Sequence, residues 1–269
     1  LVDAAAGLPF SPFETEALGG DRSWQTGSFA VAEILQYVCD LGEIQRDAVY
    51  RAIRDAYAEL GYGEGRGSGV PSMDDVRGRL EDLEGSKGIR NVLSRTRPIF
   101  DFGLFRDIAG PAPDPLANGI VLDLHMQELE TLQIAAAAFT LRRLYRQMFS
   151  WGESDRIRLA IVLDEAHRMS RDTTLPRLMK EGRKFGVAVM VASQGLADYH
   201  QDVVGNAGSK IVYRTNYPMS KKVSGFLRPT RGVDLSAAIE QLDVGEAYVQ
   251  TPEMMTAQRV RMRPLTSDS

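Results

Sequence analysis

Two adjacent carboxylates, Asp164 and Glu165, follow the apolar run Ile161-Val162-Leu163 and precede Ala166-His167. An unbroken apolar run ending in two acids has the pattern of a buried parallel strand, which delivers its acids to the carboxyl edge of a sheet, where ligands bind. Asp164 could hold an Mg²⁺ ion, directly or through a water, because Mg²⁺ keeps much of its hydration and takes few protein carboxylates. Glu165 could orient, or take a proton from, a water that attacks a phosphate. The competing reading is that the acid pair caps the next helix. A second apolar run, Val187-Ala188-Val189-Met190-Val191-Ala192, begins one helix-length later and leads into Ser193-Gln194. In a parallel sheet the two strand ends lie side by side, so Gln194 can reach the same phosphate or water as Glu165.

This acid pair has the Walker B arrangement, and the block around it resembles the HerA/FtsK superfamily of P-loop motors, which includes the conjugative and type IV secretion ATPases. In that superfamily a Walker B strand is followed by a helix, an arginine and a strand ending in a sensor glutamine. The matching positions are Asp164, Glu165, Arg183 and Gln194. The resemblance continues through Asn206–Thr215, which looks like the next core strand, and covers most of 119–250. It implies a three-layer α/β P-loop NTPase core of the RecA-like, additional-strand type, with a mostly parallel sheet and with ATP and Mg²⁺ as ligands. It also implies Asp164 on Mg²⁺, Glu165 on the water, and Gln194 coupling the γ-phosphate to strand movement. Arg183 would act in trans across a subunit edge of a homo-oligomer, a hexameric ring. A planar guanidinium there can stabilise charge developing on a neighbour's γ-phosphate. The plainer reading of Arg183 is a cation complementing a helix end. Arg214, at the end of its strand, is the competing arginine and a candidate nucleotide contact.

One departure limits the resemblance. A P-loop needs GxxxxGK[ST], whose backbone amides cradle phosphates and whose lysine reaches the β- and γ-phosphates. The sequence contains no Gly-Lys dipeptide. The glycine cluster Gly61–Gly69 does not substitute, since it lacks the Lys-Ser/Thr ending and follows no buried strand; it reads as a flexible loop between helices. The chain is therefore read as the carboxyl-terminal half of a larger motor, inactive as an isolated piece. Leu1-Val2-Asp3 would be the tail of a strand downstream of the phosphate-binding turn.

Composition is that of a chain able to bury a sizeable core, with 43% hydrophobic and 25% charged residues among 269. No apolar run approaches the length of a membrane span and the start has no signal-peptide pattern, so a cytoplasmic chain is expected. Cys39, the single cysteine, sits in an apolar helical pattern and reads as a reduced core residue. His125, His167 and His200 lack metal-ligand spacing, although His167 is a secondary candidate for sensing phosphate. A net charge of -4 argues against a protein that coats nucleic acid generally, but local charge decides a pore contact. Between Val203 and Val233 the chain carries Lys210, Arg214, Lys221, Lys222, Arg228 and Arg231 with no acid. This segment could face DNA phosphates in a pore; a solvated face or a subunit contact is the alternative.

The elements that must position these residues divide as 1–27, a core strand end and connector; 28–110, an α-helical insertion; and 111–269, the carboxyl-terminal part of the ATPase core. Gly7–Phe13 is a proline-pinned extended connector suited to lie across a groove. Helices are expected from about Ser28 to Gly42, from Ile44 to Leu60, and from a capping box variant at Ser72–Asp75 to Glu84. Gly119–Leu124 reads as a core strand whose Asp123 forms a turn or supports the acid pair. Met126–Ser150 reads as a crossover helix, with Arg142, Arg143 and Arg146 complementing its dipole. Val244–Gln250 and Gln258–Pro264 read as strands, the second an edge strand. The resemblance implies an ATP-driven translocase on double-stranded DNA, working with a nuclease in DNA processing or in defence against foreign DNA. The alternatives are a conjugative or type IV secretion ATPase, or a non-catalytic scaffold of the same fold.

Overall fold

The computed structural model describes residues 1–14, 23–84, 89–106, 113–125, 127–194 and 201–263. In chain order the elements are β1 (Val2–Asp3), α1 (Ser23–Val38), α2 (Glu43–Glu59), α3 (Met73–Glu84), α4 (Val92–Asp101), α5 (Pro115–Asn118), β2 (Leu122–Asp123), α6 (Glu130–Met148), β3 (Ser154–Leu163), α7 (Thr174–Glu181), β4 (Phe185–Val191), α8 (Gln201–Asn206), β5 (Lys210–Tyr213), α9 (Met219–Ser224), α10 (Leu235–Glu240), β6 (Glu246–Gln250) and β7 (Gln258–Arg261). Two compact units result. The first takes 1–160, 172–174 and 182–188, and the second takes 161–171, 175–181 and 189–269.

The first unit is mainly helical. Val31, Ile34, Leu35 and Val38 of α1 and Ala48, Val49, Ala52, Ile53, Ala56 and Tyr57 of α2 recur three or four residues apart and are buried, so each helix presents one apolar stripe to its neighbours. Helix α1 packs on α2, α2 on α3 and α3 on α4, while α1 and α4 also meet α6. Helix α3 begins as its sequence suggests. The Ser72 N–H donates to Asp75 Oδ2 at 2.8 Å and the Asp75 N–H donates to Ser72 Oγ at 3.1 Å, which satisfies two donors that a helix start leaves open. The glycine cluster folds around Tyr62, whose hydroxyl donates to the Gly69 carbonyl at 2.9 Å.

The extended segment from Gly7 to Phe13 lies against α6, with Phe10 and Phe13 buried. Here the three arginines of α6 do more than answer the helix dipole, which Arg146 in the last turn still complements. Buried Arg142 donates to the carbonyls of Pro12 and Gly27 at 3.0 and 3.1 Å, and Arg146 donates to the Glu14 carbonyl at 2.9 Å. Arg143 stacks over Phe10 at 4.8 Å, and burial lowers the pKa of its guanidinium. Guanidinium donors thereby satisfy main-chain carbonyls of the connector, at Pro12 and Glu14, and one of α1, at Gly27.

Strands β1 and β2 pair in parallel, with Val2 opposite Leu122 and Asp3 opposite Asp123. The strand expected over Gly119–Leu124 is only these two paired residues long. Asp123 forms a turn, accepting from the His125 N–H at 2.9 Å. Strands β3 and β4 pair with each other. The expectation of a strand buried on both faces does not hold for β3. Leu159, Ile161 and Leu163 are buried or half-buried, while Ala160 and Val162 are exposed, Val162 at 64%. This period of two marks a strand covered on one face only, and the run Ile161-Val162-Leu163 conceals it because both faces carry apolar side chains. Asp172, in the first unit, is buried and accepts from the Tyr37 hydroxyl of α1 at 2.8 Å. Burial, with the Asp172 charge second, pushes the Tyr37 phenol far above its usual range.

In the second unit β5, β6 and β7 form an antiparallel sheet, with Val212 opposite Tyr248 and Tyr248 opposite Arg259. The segment from Asn206 to Thr215, expected as the next strand of a parallel core, pairs among the described residues with β6. Val223, Leu227, Leu235, Ile239, Leu242, Tyr248 and Ala257 form one core joining α9 and α10 to the sheet. Strand β7 alternates as an edge strand should, with Arg259 and Arg261 exposed and Val260 half-buried.

Two outcomes test this packing. Tyr37→Phe removes one donor from a buried carboxylate and is expected to lower unfolding stability by about 1–3 kcal/mol in urea titration; an unchanged midpoint contradicts the role of that bond. Burial raises the Cys39 thiol to about 12, so the folded chain should resist alkylation by iodoacetamide at pH 8 until denaturant is added. Rapid labelling of the native protein contradicts it.

Candidate functional site

The site is built on the carboxyl ends of β3 and β4. Beyond Leu163 the chain turns through Asp164 and Glu165 into a 3-10 turn, Ala166–Met169. Glu165 carries the turn with φ of +50°, a left-handed conformation that costs a residue with a Cβ about 1–3 kcal/mol and recurs at functional sites. The main chain of the neighbouring strand end fixes that turn. The Ala192 N–H donates to the Leu163 carbonyl at 2.8 Å, and the Ala192 carbonyl accepts from the Ala166 N–H at 3.0 Å. Ala192 thus brackets both acids, one residue more than the single partner that a parallel ladder brackets, so the acid pair bulges out between the two bonds.

With the main chains locked in this register, the side chains meet. Gln194 Nε2 donates to Glu165 Oε1 at 3.0 Å. His167 Nδ1 lies 3.2 Å from Glu165 Oε2, and Ser193 Oγ lies 3.4 Å from the same nitrogen. The Glu165 carboxylate is therefore held at both oxygens. Asp164 accepts the Glu165 N–H on Oδ1 at 3.0 Å and is exposed. The competing reading of the acid pair as a helix cap finds no support at Glu165, whose side chain makes no capping bond to the turn that follows.

Among the described residues no group of three or more His, Cys, Asp or Glu gathers in a way that could cage a metal. A lone exposed carboxylate at a strand end does fit Mg²⁺ accompanied by a nucleotide, since that ion takes one or two protein oxygens and completes its shell with water and phosphate. It does not fit a dedicated all-protein site.

The structure brings Asp164, Glu165 and Gln194 together. Arg183 stands exposed on the 3-10 turn Gly182–Lys184 between α7 and β4, in the first unit. Arg214 is exposed immediately beyond β5. Of the basic series, Lys210 is half-buried and its ammonium donates to the Ala207 carbonyl at 2.7 Å, whereas Lys221 and Lys222 on α9 and Arg228 and Arg231 beyond it are exposed. His167, by sequence a secondary candidate for sensing phosphate, is a partner of Glu165. Its place two residues beyond the acid is the signal in the sequence for that partnership.

No protein-family model matches the chain. Its sequence is similar to the DNA double-strand break repair helicase HerA of Sulfurisphaera tokodaii, 27% identical over 190 residues, which is 66% of this chain and 36% of that protein. HerA of Sulfolobus acidocaldarius is 33% identical over 95 residues, covering 33% of this chain and 19% of its own length. The chain thus spans about a third of the length of the first of these curated relatives. In structure it resembles VirB4 of Thermoanaerobacter pseudethanolicus, with a TM-score of 0.70 at 14% identity over 99% of this chain and 77% of that one. It also resembles the plasmid coupling protein TrwB in complex with ADP and Mg²⁺, with a TM-score of 0.64 at 19% identity over 95% of this chain and 70% of that one. These likenesses establish the α/β fold of RecA-like P-loop ATPases.

The strand pair beneath the site depends on Gly186, which has φ of +74° and abuts the Arg156 carbonyl of β3. Gly186→Ala places a Cβ against that carbonyl in a conformation alanine resists, and is expected to cost about 1–3 kcal/mol of stability by urea denaturation. Wild-type stability in this variant contradicts the close approach.

Proposed function

We propose that this chain, one of the HerA/FtsK type of P-loop ATPases, is part of an ATP-driven motor that moves on double-stranded DNA. The observation that carries the proposal is the 3.0 Å contact between Gln194 and Glu165 at the ends of neighbouring strands, with Asp164 beside them. Three polar side chains with these chemistries, held at one sheet edge by main-chain bonds, suit hydrolysis of a phosphoanhydride better than they suit a scaffold, which needs none of them.

ATP bound with Mg²⁺ would supply the γ-phosphate and the neutralisation of its charge. Asp164 offers an exposed carboxylate oxygen to the metal or to one of its waters. Glu165, an acceptor when ionised, orients the attacking water and takes its proton. Gln194 has both a donor and an acceptor, so it can exchange Glu165 for a phosphate oxygen and transmit that exchange to β4. Arg183 would serve a neighbouring subunit's site in trans, in a ring that is hexameric when complete. Arg214 is the alternative arginine. Lys210, Lys221, Lys222, Arg228 and Arg231 would meet DNA phosphates or a subunit face. The sequence likeness to break-repair helicases favours DNA processing over conjugation, and a nuclease would be the partner in that setting. No described helix is long and apolar enough to cross a membrane. The lysine-bearing phosphate turn is not found in these residues, so the isolated 269-residue stretch is expected to hydrolyse no ATP.

The test uses the full-length protein. Glu165→Gln should lower DNA-stimulated ATP turnover by about 10²-fold or more while nucleotide binding persists. Turnover at the wild-type rate removes Glu165 from the chemistry. Rings mixing Arg183→Ala subunits with subunits defective in the phosphate turn should recover part of the activity. Mixed rings that assemble and stay inactive contradict a trans role for Arg183.

A further inference from the structure

We propose that His167 is a positioning residue for Glu165: its Nδ1 holds the carboxylate in place while Gln194 changes partner. This rests on the reading of Glu165 as the group that activates water.

The two holders of Glu165 differ in how they are attached. His167 belongs to the same 3-10 turn as the acid, two residues on. That turn is pinned by buried Ala166 and Met169 and closed by the Arg168 N–H to the Glu165 carbonyl and the Ser170 N–H to the His167 carbonyl, each 3.1 Å. The imidazole therefore moves with the backbone that carries Glu165. Gln194 comes from the end of the other strand and is exposed. Any displacement of the β4 end against the β3 end breaks the Gln194 bond to Oε1 and leaves the His167 contact at Oε2, 3.2 Å away, intact.

The chemistry at Oε2 requires a donor. An ionised carboxylate only accepts, so the Nδ1 nitrogen facing it carries the proton, whichever state the far nitrogen is in. The Ser193 hydroxyl, 3.4 Å from that nitrogen, can share the same proton as a second acceptor. With only Gln194 holding it, the carboxylate would turn freely about its last torsion whenever the amide went to a phosphate. With His167 at the other oxygen, the released Oε1 keeps its direction and is available to the water.

The identity of the ring nitrogen makes the idea testable. An asparagine amide can occupy the place of Nδ1, whereas a glutamine amide reaches toward the place of Nε2. In the full-length ATPase, His167→Ala and His167→Gln should lower kcat by about 10²-fold, the scale of a misplaced reacting group, with the KM for ATP within about twofold of wild type. His167→Asn should restore most of the turnover. Equal losses in all three variants would reduce His167 to a structural residue, and full activity in the alanine variant would remove it from the site. If the alanine variant fails to fold, as read by thermal melting, the contrast between asparagine and glutamine still decides. Glu165→Gln run in the same assay separates the two layers. Retained turnover there overturns the reading of Glu165, whereas lost turnover with an active His167→Ala overturns only the present proposal.

Discussion

The pairing of the β4 end with the β3 end holds Asp164, Glu165 and Gln194 at one place. Two main-chain bonds at Ala192, one to Leu163 and one from Ala166, set the register across the acid pair. Each nets only about 1 kcal/mol. Their importance is geometric, because a shift of one residue would turn every side chain of the strand to its other face. Once that register is fixed, Glu165 and Gln194 have adjacent roots, and the Gln194 amide reaches Glu165 Oε1 at 3.0 Å. The strained φ of Glu165 belongs to the same constraint, since the chain must leave the strand sharply for His167 to come back to the carboxylate.

The remainder of each unit serves support in a recognisable division. In the first unit the helices pack by apolar stripes, and polar main chain that no ladder satisfies is met by the guanidiniums of Arg142 and Arg146. Buried Asp172, which accepts from Tyr37 on α1, belongs to that helical unit. In the second unit a three-stranded sheet and two short helices share one compact core and leave the basic side chains of α9 and the following turn in solvent.

The sequence made the site more legible than the fold around it. Adjacent carboxylates after an apolar run, and an amide after the next run, carry their chemistry in residue type and spacing, so Asp164, Glu165 and Gln194 could be named before any coordinates. The capping pair Ser72 and Asp75 and the alternation of β7 were legible for the same reason, being local. What escaped were the properties that depend on distant chain. The one-sided burial of β3 is hidden because Val162 is as apolar as Ile161, and a run of such residues does not say which face is covered. The use of Arg142 and Arg146 on carbonyls of residues 12 to 27 required contacts more than a hundred positions apart. The partnership of β5 with β6 could not be read because strand propensity does not name a neighbour.

On the proposed reading the two strand ends converge on one triphosphate. Its most direct test is a structure of the full-length protein with Mg²⁺ and a non-hydrolysable ATP analogue. The Asp164 carboxylate should lie in the coordination shell of the metal, at about 2.1 Å or through a single water, with Gln194 turned from Glu165 to the γ-phosphate. A nucleotide bound with its metal away from Asp164, or with Gln194 and Glu165 facing neither phosphate nor water, would contradict it.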